Sequence, residues 1–84
     1  MRLKSNYSVA GLKGKYMLGI EVDGEVKNFE INESLAFLLN HFIGMDFSIQ
    51  DIASVLEERY RISPGQAGED AALVLEVWQN YHLL

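Results

Sequence analysis

The spacing of apolar residues changes at Asn32, and that change limits the folds open to this chain. Before it, Tyr16, Leu18, Ile20 and Val22 occupy every second position. That is the period of a strand with one buried face. Asp23-Gly24 follows at once, and the return run places Lys27, Phe29 and Ile31 on one side, with Val26, Asn28 and Glu30 on the other. Asp-Gly between two alternating runs signals a two-residue hairpin, because both central residues tolerate positive φ. An earlier strand around Tyr7–Leu12, ended by Gly14, completes a three-stranded antiparallel meander with strands at about 7–12, 15–22 and 25–31.

After Asn32 the apolar residues recur every three to four positions. Leu35, Leu38, Leu39 and Phe42 share one helical face, with Asn32 as N-cap and Glu33 in the first turn. Ser48 caps a second helix, with Asp51 three residues on as its capping-box partner. The inner face there is Ile49, Ile52, Ala53, Leu56 and Tyr60. Ser63-Pro64 opens a third helix, with a Ser cap and Pro at the first helical position. Its core stripe is Ala71, Val74, Leu75, Trp78 and either Tyr81 or His82. The spacing predicts helices over about 33–43, 48–60 and 64–82. The order β-β-β-α-α-α over residues 1–84 reads as one α+β domain: a three-stranded antiparallel sheet followed by three helices, winged helix-turn-helix-like.

Eighty-four residues leave no room for a second domain, so any catalysis is expected on another chain. There is no cysteine, which removes disulfides and thiolate metal sites and fits a reducing, cytoplasmic setting. No run approaches the roughly 20 apolar residues that span a bilayer, so no membrane role is expected. Chemistry-bearing groups are few. The glycines have no phosphate-loop spacing. His41 and His82 lie near predicted helix ends without a second ligand at usable spacing, so neither a metal nor a cofactor is expected. Glu57-Glu58 and Glu69-Asp70 are adjacent pairs that diverge on a helix, the latter reading as first-turn anions. No catalytic constellation results, and the chain is read as a non-enzyme. Glu33-Ser34-Leu35 is like the serine motif of an acyl carrier protein, but such carriers are helical throughout and thirty strand-like residues precede it here.

Three helices with a β-hairpin are the parts of a winged helix, whose usual occupation is DNA binding. The charge argues against nucleic acid. Residues 1–32 carry five basic and four acidic residues; residues 33–84 carry two basic and eight acidic, so the net −5 is +1 plus −6. The third helix has no Lys or Arg, and the turn Asp23-Gly24-Glu25 is acidic. A DNA reader needs the opposite signs. A winged-helix transcription or scaffold domain remains the alternative function.

Several segments, in order, resemble a known family. Phe29-Glu30-Ile31-Asn32-Glu33-Ser34-Leu35-Ala36-Phe37-Leu38-Leu39 is similar to its strand-to-helix junction. Phe47-Ser48-Ile49-Gln50-Asp51-Ile52 is similar to its helix-two opening, and Leu56-Glu57-Glu58-Arg59-Tyr60 to its Leu-x-x-x-aromatic segment. Glu69-Asp70 with Leu73-Val74-Leu75 follows, and Tyr81-His82-Leu83-Leu84 resembles its Gly-Leu-Leu ending, with His82 where the glycine usually stands. From about Tyr7 to Leu84 the chain resembles the PqqD-like domains, also called RiPP recognition elements. The resemblance implies a non-catalytic peptide chaperone of natural product biosynthesis. Its partners would be the leader segment of a ribosomally made precursor peptide and a modifying enzyme, such as a radical SAM enzyme, a leader peptidase or a lasso-peptide cyclase.

It also implies that the leader adds as a strand beside the third strand, in a groove against the third helix. An edge strand offers unpaired N–H and C=O groups, and strand addition draws affinity from the backbone and specificity from side-chain pockets. Leu73 and Val77 lie off the third helix's core stripe. The expected peptide-binding residues are therefore Leu73, Val74 and Val77, with Lys27, Phe29 and Ile31 opposite and Asp70 at the upper end to meet a basic leader residue. The competing reading buries Leu73 and Val77 on a second side and makes Asp70 a helix-dipole partner.

Overall fold

The computed structural model describes residues 1–84. Strands β1 (Tyr7–Leu12), β2 (Lys15–Val22) and β3 (Glu25–Ile31) form an antiparallel sheet of order β1-β2-β3. Helices α1 (Glu33–Phe42), α2 (Ile49–Tyr60) and α3 (Pro64–Asn80) follow. This is the α+β, winged-helix-like arrangement expected. Two glycine turns set the register. Asp23 and Gly24 have φ of 53° and 80°, so Val22 faces Glu25 and Leu18 faces Phe29. Lys13-Gly14 does the same for β1 and β2, with φ of 52° and 78°. Positive φ at both central residues defines the turn whose twist matches the strands.

All three helix starts are capped by the expected residues. The Asn32 side chain accepts from the Leu35 N–H at 2.8 Å. Ser48 accepts from the Asp51 N–H at 3.2 Å while the Asp51 carboxylate accepts from the Ser48 N–H at 2.8 Å, a closed capping box. Ser63 accepts from the Gln66 N–H at 3.2 Å. Because α3 starts at Pro64, Glu69 and Asp70 fall in its second turn. They are not the first-turn anions that the sequence reading made them.

The helices cover one face of the sheet. Leu18, Ile20 and Ile31 turn toward them, while Met17 and Val26 on the other face are exposed. Ala67, Ala71 and Trp78 are fully buried, and α3 packs chiefly on α2. Trp78 meets Phe47 edge-on at 5.7 Å between ring centroids, and Phe47 meets Phe42 at 5.0 Å. Phe47 belongs to the α1–α2 loop. Its N–H donates to the Met1 carbonyl, and Leu3 beside it is buried. Neither Phe47 nor Leu3 belongs to a periodic run, so periodicity did not mark them as core. Ile49, expected on the inner face of α2, is instead exposed at the helix start.

The Tyr7 hydroxyl donates to the Leu39 carbonyl at 2.9 Å, tying β1 to the last turn of α1. Burial pushes the Tyr7 phenol up to about 12 from the ordinary 10, because the phenolate would lose water. The neutral form is favoured in the fold. This contribution is therefore intact below pH 10 and is lost as pH rises through about 12.

The chain end corrects the expected extent of α3. The helix stops at Asn80, not 82. His82 takes φ 58°, its N–H donates to the Gln79 carbonyl, and the Leu83 N–H donates to the Trp78 carbonyl at 2.9 Å. That bonding is a Schellman turn, which favours glycine at the left-handed position. It folds Leu83 back into the core, fully buried. The usual glycine of the resembled ending thus has a physical role that His82 fills with strain. His82→Gly is expected to stabilise the fold by about 0.5–1 kcal/mol, the left-handed penalty less the added freedom of the unfolded chain. Thermal denaturation checks it, as a rise of roughly 2–6 °C. For Tyr7, urea midpoints of the wild type should fall more between pH 9 and pH 12 than those of Tyr7→Phe.

Candidate functional site

The register fixes which backbone groups of β3 are free. In an antiparallel pair, directly opposed residues alternate between hydrogen-bonded and non-bonded pairs, and the pair closing a two-residue turn is bonded. Val22 and Glu25 close the turn, so Lys27, Phe29 and Ile31 also bond inward to β2. Val26, Asn28 and Glu30 turn their N–H and C=O outward. No further strand follows in the sheet, so β3 is an open edge. The side chains divide the same way: Lys27, Phe29 and Ile31 face the helices, and Val26, Asn28 and Glu30 face away.

Beside the Ile31 end of this edge lies a cleft of about 430 Å³. One wall is α3, through Asp70, Leu73, Val74 and Val77. The other is the start of α1, through Ser34 and Leu35, with Leu38 and Leu56 on the floor. Tyr60 and Ile62, where α2 ends, close it. Eight of its eleven lining residues are hydrophobic, which suits an apolar side chain. Leu73 is 59% exposed. An open leucine on a cleft wall is not part of the core, so the second-layer burial of Leu73 does not hold here. The Gln66 amide donates to the Asp70 carboxylate at 2.8 Å, holding it at the rim.

Four of the seven site residues expected from sequence come together in this cleft: Asp70, Leu73, Val74 and Val77. The other three do not stand opposite them. Ile31 is 8% exposed and belongs to the core under α1. Lys27 and Phe29 line a second hollow of about 270 Å³ with Ile20, Val22, Asn80, Tyr81 and His82. Phe29 meets Tyr81, just beyond the end of α3, with ring centroids 5.0 Å apart, so it packs at the chain end and not against Leu73 and Val77. The wall facing Leu73 and Val77 is supplied by α1. Sequence reasoning missed Leu35, Tyr60 and Ile62. Leu35 and Tyr60 read as core by their spacing. Ile62, a lone apolar residue between Arg61 and Ser63, was the one available hint.

The Tyr60 wall is braced from outside. The Arg59 guanidinium lies 3.7 Å over the Phe37 ring and pairs with Glu33, whose carboxylate holds Arg59 above its usual pKa. This couples the start of α1 to the end of α2. No group of three or more His, Asp or Glu side chains is placed to hold a metal ion, and no helix is long and apolar enough to cross a membrane.

No protein-family model and no curated protein matches the sequence. Among solved structures, one described as "Lasso peptide synthetase B1 complexed with the leader peptide" superposes with a TM-score of 0.69. The match covers 98% of this chain and 93% of that one, at 22% identity. At that identity the likeness establishes the fold: a three-stranded sheet followed by three helices is a shared architecture.

Leu73→Asp tests whether the cleft wall is free surface. It is expected to change the unfolding free energy by less than about 1 kcal/mol, as helix propensity and exposure dictate. Leu38→Asp, at the fully buried floor, is the contrasting variant and should unfold the chain.

Proposed function

We propose that this protein is a non-catalytic leader-peptide recognition domain. It binds the leader of a ribosomally made precursor peptide as a fourth strand on β3 and presents the remainder to a modifying enzyme on another chain. The observation that carries the reading is the juxtaposition of an open strand edge with an apolar cleft. Val26, Asn28 and Glu30 offer backbone groups, and alternate side chains of an added strand fall toward the cleft lined by Leu73, Val74 and Val77. The solved structure of like fold is itself described as complexed with a leader peptide, which supports a peptide of that kind as the partner.

The charge supports a peptide over a nucleic acid. Asp70 stands at the cleft, and α3 carries no basic residue to neutralise phosphate. The modifying enzyme, whether a radical SAM enzyme, a leader peptidase or a cyclase, contributes the chemistry in this reading. This domain contributes affinity and placement, raising the effective concentration of substrate at the enzyme.

NMR titration with the leader of a precursor peptide encoded beside this protein tests the proposal. Shifts are expected on Glu25–Ile31 and on Asp70–Val77, and binding should weaken at least tenfold in Leu73→Asp. Shifts confined to the α1–α2 loop would place the binding surface elsewhere and end the strand-addition account.

A further inference from the structure

The helix-facing side of β3 carries two hollows, not one. The apolar cleft lies beyond its Ile31 end, against Leu73 and Val77. The second, of about 270 Å³, lies toward the Asp23-Gly24 turn and is lined by Lys27, Phe29, Asn80, Tyr81 and His82 together with Ile20 and Val22. Phe29 and Tyr81, ring centroids 5.0 Å apart, belong to the second hollow alone. No lining residue is common to both.

Their chemistry differs. The second hollow has no Asp or Glu in its lining, although the chain carries twelve. Its polar lining residues are Lys27, Asn80, Tyr81 and His82. The ion pairs of the molecule are Arg2–Asp46 and Arg59–Glu33, so Lys27 has no carboxylate partner. Glu25, the nearest acid on the same face of β3, is two residues away and outside the lining. A cation faces a cavity here with its charge unmatched, and a ligand carboxylate would match it.

The spacing is readable from both walls. Along the chain, the cleft residues Asp70–Val77 of α3 and the hollow residues Asn80–His82 at and just beyond its end are centred about seven positions apart. Asn32, extended and one residue past β3, borders the first, and Lys27 with Phe29 borders the second, about four residues or roughly 13 Å apart along extended chain. Helix-facing side chains of an added strand come at about 7 Å intervals, so the two hollows take residues four apart, not two.

We infer that the recognised peptide has two anchors on one face: a large apolar residue in the α1–α3 cleft and, four residues away, an acidic residue against Lys27. The inference rests on the strand-addition reading and adds a spacing and a charge to it. Lys27 and His82 then act as specificity-determining residues at the turn end of the groove.

A peptide array separates the two claims. Twelve-residue synthetic peptides in a Ser/Thr background carry one Leu, with Glu, Gln, Lys or Leu placed two or four residues to either side. The purified protein is overlaid, and retained peptides are re-measured by fluorescence anisotropy. Glu four residues from Leu should bind about tenfold tighter than Lys there, with no such preference at two. Lys27→Glu, an exposed change, should invert the preference while circular dichroism stays unchanged. Equal binding of Glu and Lys at four, or a preference at two that Lys27→Glu leaves intact, overturns the two-anchor inference. Binding that survives replacement of the Leu by Ser, or absence of binding to every array peptide, overturns the strand-addition reading beneath it.

Discussion

The burial of Trp78 is the constraint on which the rest of the structure depends. Its ring meets Phe47 of the α1–α2 loop and Phe42 at the end of α1, so one side chain joins α3 to α1 and to the loop that leads into α2. Just beyond it, the turn at His82 folds Leu83 into the same core, and the Lys4 N–H donates to the Leu83 carbonyl. The C-terminal half of α3 is thereby fixed against the end of α1, the α1–α2 loop and the chain start. The N-terminal half is held through Ala67 and Ala71 against α2, and small side chains allow that close approach. A helix pinned at those points leaves its remaining flank, Asp70, Leu73 and Val77, facing a gap across from α1. The cleft is a consequence of where α3 is anchored.

The open edge follows from a second constraint. Three strands joined by two tight turns leave both outer strands unpaired on one side, and the helices cover a face, not an edge. Proteins commonly protect such edges with charge, and β3 carries Glu25, Lys27 and Glu30. Of these, Glu25 and Lys27 share the helix-facing side and Glu30 faces away, and only Lys27 lines the hollow beside Phe29. That places a cation without a carboxylate partner beside the edge where an added strand would lie, with Glu25 nearer the turn and outside the hollow.

Short-range features of this fold were legible in the sequence. The Asp23-Gly24 turn, the caps Asn32, Ser48 and Ser63, and the alternation of β2 and β3 depend on residues within a few positions of one another. Long-range features were not. Phe47 and Leu3 are buried through pairing of the chain start with a loop more than forty residues away, and no periodicity records that. The left-handed turn at His82 was hidden by a residue that rarely adopts it. Half of the candidate site was legible, because Leu73 and Val77 stand off the α3 stripe. The other wall depends on where α1 stands relative to α3 in space, and no single-helix pattern encodes that placement. Lys27 and Phe29 were therefore set opposite residues that α1 faces.

Amide hydrogen exchange along β3, with and without the leader peptide, tests the central claim most directly. Strand addition requires an alternating response. The Val26, Asn28 and Glu30 amides, free at the edge, should gain strong protection when peptide is present. Those of Lys27 and Phe29, already bonded to β2, should change far less. Equal protection of both sets, or protection appearing on β1 with none at Val26, Asn28 and Glu30, would contradict the account.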